Sequence, residues 1–177
     1  MRSNHHQENV ANYIKDVVYA ANDGIITTFA VIAGAAGATL SPSVIIILGF
    51  ANLIADGFSM AASDFLASQS EQDMMRYESN GSRREKSNVY PAMITFISFV
   101  LIGALPLLPF LFINISYIAD VLWISALATA VTLFIVGALR THFTHRGWFY
   151  SGFEMLALGG VASGIAYGIG YIISGLI

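Results

Sequence analysis

The chain has 177 residues, of which 56% are hydrophobic and only 11% are charged, and its formal net charge is -3. Soluble domains carry roughly 25% charged residues because they need a solvated surface, so this composition excludes a soluble fold and predicts a single membrane domain. The small net charge argues against a nucleic-acid partner, and the lack of cysteine excludes disulfides and thiolate metal sites.

Five apolar stretches, each about 20 residues or longer and so able to cross a bilayer as a helix, follow one another along the chain. They cover residues 17–40, 44–66, 90–112, 118–139 and 149–173. The sequence therefore predicts an all-α membrane protein with five transmembrane helices over residues 17–173. A polar N-terminal segment 1–16 precedes them and a tail 174–177 follows. Ser41-Pro42-Ser43 is a tight turn, which makes the first two helices an antiparallel hairpin.

The lysines and arginines indicate how the predicted helices are oriented. They lie before the first helix, in the short loop 68–89 between the second and third helices, and between the fourth and fifth helices. All three places are on one side of the membrane. By the positive-inside rule, the N-terminus is predicted to be cytoplasmic and the C-terminus to lie outside or in a lumen.

Small residues and prolines predict how the helices pack and bend. Glycines and alanines of the first and fifth helices recur at the four-residue spacing that lets two helices approach closely. They are Gly34, Ala38, Gly160, Gly164 and Gly168. Pro106 and Pro109 are predicted to kink or end the third helix near its outer end.

A polar stripe runs along the second predicted helix. Asn52, Asp56, Met60 and Asp64 recur at a spacing of four, which places their side chains on one helix face. An ionisable group near the bilayer centre costs at least about 2.5 kcal/mol, so such residues usually face protein, water or an ion rather than lipid. The stripe is therefore predicted to line the path of a divalent cation.

Asp23 lies about two turns into the first helix, and the antiparallel hairpin brings it to the depth of Asp56 and Met60. Two carboxylates and a thioether together favour a transition metal such as Fe²⁺ or Mn²⁺ over Mg²⁺ and Ca²⁺. Three other roles stay open: Asp23 capping a helix start, Asp56 bonding a neighbouring hydroxyl, and Met60 filling a gap in the core.

The same carboxylates suggest how transport is coupled. A buried carboxyl group without a cation tends to hold a proton, whereas a bound divalent ion favours the ionised form. Metal and proton therefore compete for one site. This competition is the physical basis of antiport, which we take as a hypothesis.

Three further residues belong to the predicted metal path, and two of them have an alternative role. Asp64, at the cytoplasmic end of the stripe, either forms an entrance or faces solvent. Asn52 either extends the path outward or bridges two helices. Glu154, early in the fifth helix, is a further partly buried acid and is included among the metal ligands.

Four residues around the loop 68–89 form a candidate cytoplasmic entrance, although mixed charge in a loop also serves solubility alone. They are Glu71, Met74, Glu78 and Glu85. The sequence contains no HExxH motif, no GxSxG motif and no phosphate-cradling glycine loop followed by lysine, so no enzyme is predicted. No tightly bound cofactor is expected, and the metal ion is a substrate.

Three segments of the chain carry a family resemblance. They are DGIITTFAVIAGAAGA in the first helix, ANLIADGFSMAASDFLASQSE in the second and GGVASGIAYGIGYIISGLI in the fifth. In the same order along the membrane part, these segments resemble the vacuolar iron transporter family, in its bacterial-type branch. The paired DG…TTFA and SM motifs are the most specific parts of the match.

The resemblance implies a homodimer whose ion path lies at the subunit interface, lined by the first two helices of each protomer. It also implies Fe²⁺/H⁺ exchange that removes iron from the cytosol. Asp23 matches the family's membrane aspartate and Met60 its membrane methionine. Asn52 stands where characterised eukaryotic members have a glutamate, which Asp56 is expected to replace from one turn away. Those members also carry a long cytoplasmic metal-binding helical domain that the short loop 68–89 does not provide.

The expected protein is thus a dimeric, proton-coupled transporter of Fe²⁺, with Mn²⁺ as a second substrate, in the lipid bilayer of a bacterial cytoplasmic membrane. Two alternatives stay open. One is a transporter of another divalent metal. The other is a non-transporting dimeric membrane protein, in which the stripe holds the dimer together by hydrogen bonds and the loop recruits a partner.

Overall fold

The structure is a computed structural model that describes residues 2–78, 88–112, 118–144 and 147–176. Every regular element within these residues is helical. The α-helices are α1 (Arg2–Gly37), α2 (Pro42–Glu78), α3 (Val89–Gly103), α4 (Leu108–Phe112), α5 (Ile118–Thr144) and α6 (Trp148–Ser174). A 3-10 turn, Leu105–Leu107, separates α3 from α4.

In the described part of the chain, five helical segments are long and apolar enough to cross a membrane. They are Ile14–Gly37, Pro42–Tyr77, Val89–Phe112, Ala119–Thr141 and Trp148–Ser174. The protein is therefore an all-α, multi-pass membrane protein, as predicted. The third segment includes α3, the 3-10 turn and α4, so the last two helices of the fold are its fourth and fifth spans.

The first two helices are longer than the apolar stretches that predicted them. α1 already begins at Arg2, and α2 continues to Glu78 through the first half of the predicted loop 68–89. With 37 residues, α2 is about 55 Å long, well beyond the roughly 30 Å of a hydrocarbon core. Its polar end lacks glycine and proline, so the helix does not stop where the apolar residues stop.

A tight turn joins α1 and α2 into the predicted antiparallel hairpin. The Leu40 N–H bonds to the Ala35 carbonyl at 3.0 Å and the Thr39 N–H to the Ala36 carbonyl at 3.0 Å. This is the bond pattern of a Schellman cap, and Thr39 has the positive φ of 56° that such a cap requires. Pro42 then starts α2, where its missing N–H leaves no hydrogen bond unmade.

The third span is interrupted at its prolines, as predicted. α3 ends at Gly103, and the 3-10 turn containing Pro106 leads into the short helix α4. The buried hydroxyl of Ser125 on α5 donates to the Pro106 carbonyl at 2.6 Å. A backbone acceptor at the break is therefore satisfied inside the protein, which a bilayer could not do.

α1 is the central helix and packs against α2, α3, α5 and α6. The larger buried cluster draws on every helix except α6. Its members are Ala20, Ile32, Ala35, Ile45, Leu53, Phe99, Leu107, Phe110 and Val121. α2 packs against α3 and α1 along one side, so the rest of its surface stays exposed within a single chain.

Glycines set the closest helix contacts, but only some are those predicted. Gly34 does meet α6: a Cβ added at Gly170 would lie 2.0 Å from the Gly34 carbonyl oxygen. The prediction for Gly160, Gly164 and Gly168 was wrong within one chain, because a Cβ at any of them would meet no atom within 4 Å. The α6 residues that pack lie on a neighbouring face, which includes Gly152, Gly159 and Ser163.

Candidate cation path

The two membrane aspartates come together across the hairpin. Asp23 on α1 and Asp56 on α2 are both half-buried. Their carboxyl groups lie close enough to interact electrostatically. The hydroxyl of Thr27 donates to the backbone carbonyl of Asp23 at 2.8 Å, so it leaves the carboxylate itself available. The antiparallel hairpin thus produces the carboxylate pair that the sequence predicted.

A second carboxylate pair lies nearer the predicted cytoplasmic end. Asp64 on α2 and Asp16 on α1 interact electrostatically. The Thr95 hydroxyl on α3 donates a hydrogen bond to the Asp64 Oδ2 at 2.6 Å. Asp16 is seven residues before Asp23, and Asp64 is eight after Asp56. The two pairs are therefore about 10–12 Å apart along the helix axes at 1.5 Å per residue.

Asp16 and Thr95 were missed by the sequence analysis. Asp16 was assigned to the polar segment 1–16, although two helical turns place it on the same face as Asp23. That spacing was a usable signal. Thr95 had none, because a threonine in an apolar helix gives no indication of which neighbour it will meet.

The remaining stripe residues flank the deeper pair. Met60 is half-buried and packs against the large hydrophobic cluster. Asn52 is also half-buried and lies one turn from Asp56, on the side nearer the turn between α1 and α2. The structure therefore places all four stripe residues on one partly covered face of α2, where Met60 also contacts the core.

Small exposed residues border this stripe. They recur every four positions along α2 and are Ala51, Ala55, Ser59, Ser63 and Ala67. Larger apolar side chains, such as Ile54 and Phe58, are also exposed on this helix. α2 thus presents an apolar surface with a narrow, flat strip directly beside its carboxylates.

Glu154 lies apart from this group. Its Oε2 is 3.6 Å from the Arg140 Nη1, so α6 and α5 share an ion pair that is too long to be a hydrogen bond. Both side chains are about one-third exposed, Arg140 at 37% and Glu154 at 34%. A carboxylate already neutralised by an arginine is a poor cation ligand, which favours a structural role for Glu154.

The predicted entrance residues are only partly within the described part of the chain. Glu71 and Met74 are exposed on the polar end of α2. Glu78 ends this helix, but its side chain lies outside the described residues, as does Glu85 entirely. Gln72 donates to the Asn88 side-chain oxygen, which ties the end of α2 to the start of α3.

The described side chains include no cluster of three or more acidic or histidine residues that would form a ready metal site. The acidic groups instead form two pairs on facing helices. The described part of one chain therefore offers two carboxylates at each of these two levels.

Comparisons with known proteins match the VIT family over residues 14–91 and 72–171. Vacuolar iron transporter 1 of Arabidopsis thaliana is 25% identical over 92% of this chain and 88% of its own length. The vacuolar iron transporter of Centaurea cyanus is 25% identical over 95% and 91%. That of Toxoplasma gondii is 38% identical over 47% of this chain and 29% of its own length. Since the family match runs through nearly all of the membrane-spanning part, the chain belongs to the VIT family.

Proposed function

We propose that this protein is a homodimeric transporter that moves Fe²⁺, with Mn²⁺ as a second substrate, out of the cytosol in exchange for protons. The observation that carries the proposal is the Asp23–Asp56 pair on facing membrane helices. The names of the relatives, which are vacuolar iron transporters, support iron as the substrate.

The carboxylate pair needs a positive partner. One ionised group near the bilayer centre already costs at least about 2.5 kcal/mol, and two like charges on facing helices repel each other as well. A divalent cation between Asp23 and Asp56 removes both penalties. One proton on either carboxyl group removes the repulsion, and a second proton removes the remaining charge. Because cation and proton relieve the same repulsion, occupancy by one favours release of the other, which is the exchange we propose.

The number of ligands supports a dimer. Mn²⁺ favours octahedral coordination by six oxygen ligands, whereas the described part of one chain supplies two carboxylates at this level. The strip of small residues on α2 would let a second copy approach closely, since small side chains are typical of helix contacts in membranes. Two copies joined there would bring four carboxylates around one path and would shield the polar stripe from lipid.

The other polar residues extend this path toward both membrane surfaces. Asp16 and Asp64 form the cytoplasmic mouth, and Glu71 and Met74 on the projecting end of α2 attract cations to it. Asn52 continues the path outward. We leave Glu154 out of the path because it is paired with Arg140.

Mn²⁺ is the specific rival for the main substrate. Met60 packs against the hydrophobic cluster, and a thioether engaged in that packing would leave a site composed of oxygen ligands. Oxygen ligands suit Mn²⁺ well, whereas a thioether ligand would favour a softer ion. Competition between Fe²⁺ and Mn²⁺ in one flux assay ranks the two ions directly.

The protein is expected in a bacterial cytoplasmic membrane with its N-terminus in the cytosol. The orientation is supported by the distribution of lysines and arginines, all of which lie on one side of the five spans. Labelling of single cysteines introduced near either end of α6, in intact cells, tests this orientation without interference from native thiols.

Fe²⁺ flux into proteoliposomes, with and without an imposed pH gradient, tests the proposal. Asp23→Asn and Asp56→Asn keep the shape of the side chains and remove their charge, whereas Asp120→Asn is a matched control at an exposed helix start. We expect a pH-dependent flux that both path variants lose and the control retains.

Three outcomes would contradict parts of the proposal. Flux that ignores the pH gradient excludes proton exchange, and full flux in both path variants excludes this path. A folded dimer without flux of any divalent ion, with stability unchanged by either Asn substitution, supports the non-transporting alternative, because an asparagine retains the ability to hydrogen-bond between helices.

A further inference from the structure

Both aspartates of the deeper pair are followed by a glycine that contacts the same residue of α3. A Cβ added at Gly24 would lie 2.7 Å from the Phe99 carbonyl oxygen. A Cβ added at Gly57 would lie 3.1 Å from Cδ1 of the Phe99 ring. Phe99 is fully buried. The two helices that carry the carboxylates therefore rest against the backbone and the ring of a single residue.

The one-residue offset explains how these contacts direct the aspartates. Neighbouring residues of a helix point about 100° apart, at 3.6 residues per turn. Because α1 and α2 are antiparallel, a step of one residue back from each glycine turns the two side chains in opposite senses. The two aspartates therefore turn either both into or both out of the groove between the helices, and the electrostatic interaction between Asp56 and Asp23 identifies the first arrangement.

From this geometry we infer that Phe99 is a positioning residue that sets the width of the Asp23–Asp56 pair, and with it the size of cation that the path accepts. The inference rests on the proposed function. α3 itself carries no charged residue. It acts on the ion only through the two helices that it contacts.

The distances involved make size selection by packing feasible. Ca²⁺ binds oxygen at about 2.3–2.6 Å and Mg²⁺ at about 2.0–2.1 Å, so cations differ by a few tenths of an ångström. The three atoms nearest to a Cβ at Gly57 lie at 3.1, 3.3 and 3.4 Å. A methyl group there would displace α2 or the ring by a similar small amount, which is the scale on which cations are distinguished.

The test compares the binding of Mn²⁺ and Ca²⁺ to the purified full-length protein in lipid nanodiscs at constant pH. Mn²⁺ is followed by its electron paramagnetic resonance spectrum and Ca²⁺ by displacement of Mn²⁺. Phe99→Leu removes bulk from the contact between Phe99 and Gly57, and Gly57→Ala adds a methyl group to it. Phe110→Leu is the matched control, because Phe110 is equally buried in the same cluster and belongs to neither glycine contact.

We expect the ratio of Mn²⁺ to Ca²⁺ affinity to change in opposite directions in the two variants, by about tenfold, the lower end of what residues that support metal ligands contribute. Phe99→Leu lets α2 approach and favours the smaller Mn²⁺, whereas Gly57→Ala favours Ca²⁺. The control should lose stability without changing the ratio. Loss of packing alone would lower the affinity for both ions together, so it cannot shift the affinity ratio in opposite directions in the two variants.

An unchanged ratio in Gly57→Ala, or shifts of the same sign in both variants, overturns the inference. An equal shift in Phe110→Leu also overturns it, because the effect would then be a general loss of packing. If Phe99→Leu does not fold, as judged by size-exclusion chromatography, Gly57→Ala decides the question. A wild-type protein that binds neither ion refutes the proposed function itself and is recognised before any variant is compared.

Discussion

The close contact between α1 and α3 at Gly24 predicts how much stability a larger side chain there would cost. In Gly24→Ala the added methyl carbon would lie 2.7 Å from the Phe99 carbonyl oxygen and 3.3 Å from the Gly103 Cα. An ordinary contact begins near 3.4 Å, so the helices would have to separate by roughly 0.7 Å, the difference between 2.7 and 3.4 Å. The obstructing atoms belong to backbone, and no side-chain rotation can remove the overlap.

The expected cost follows from two opposing effects. Overpacking of this kind destabilises a protein by about 1–3 kcal/mol, whereas replacing a helical glycine with alanine gains up to about 1 kcal/mol. Gly24→Ala should therefore lower the free energy of unfolding by about 1–2 kcal/mol. Asp23 is the neighbouring residue and moves with the helix. Since a misplacement near 1 Å costs up to about 100-fold in a positioned site, we expect metal flux to fall by about tenfold.

Thermal and denaturant unfolding of the detergent-solubilised protein, together with Fe²⁺ flux, measure both effects. Gly164→Ala is the control: it makes the same change in the middle of a helix, at a site where no atom lies within 4 Å. It should be neutral or stabilising by up to about 1 kcal/mol. If Gly24→Ala proves as stable and as active as this control, the close approach of α1 to α3 is refuted.

Three further predictions concern single contacts. Thr95→Val removes the hydroxyl bound to Asp64 and should cost about 1 kcal/mol and slow uptake at low metal concentration, as measured by unfolding and initial flux. Thr39→Gly should stabilise the turn between α1 and α2 by about 1 kcal/mol, because a β-branched residue is strained at a φ of 56°. Thr39→Ala should stabilise it by less than the glycine does in the same unfolding assay. Glu154→Gln should change stability by less than about 1 kcal/mol, since its ion pair is about one-third exposed, and should keep Fe²⁺ flux intact.

Each of these predictions has a clear contrary result. Uptake in Thr95→Val equal to wild type would leave Asp64 without a role at the mouth. A Thr39→Gly variant that unfolds earlier than wild type would show that the turn is not strained. Loss of flux in Glu154→Gln would return Glu154 to the path, as the sequence analysis first had it.

Much of the site was predictable because helical spacing is a local property. Asn52, Asp56, Met60 and Asp64 share a face of α2 whatever the helix packs against. The short turn at Pro42 made α1 antiparallel to α2, and this alone brought Asp23 level with Asp56. Asp16 belongs to the same reasoning and was missed only because it lies outside the apolar stretch, where a helix was not expected to continue.

Apolar stretches mark where lipid ends rather than where helices end. α2 passes through the predicted loop to Glu78 because its polar end contains no helix-breaking residue. The interruption of the third span was predictable for the converse reason: Pro106 and Pro109 act on the local backbone, so their effect depends little on the surrounding helices.

The contacts between helices depended on the tertiary structure. Gly164 and Gly170 look equivalent in the sequence, yet only Gly170 meets α1, since the rotation of α6 depends on all its neighbours at once. In the same way, Arg140 became the partner of Glu154, and Phe99 came to contact both aspartate-bearing helices. By itself the sequence determined the five spans, the hairpin and the face that carries the carboxylates, because period and turn chemistry act within a few residues. Which faces meet, and at what distance, was decided only by close packing among residues far apart in the chain.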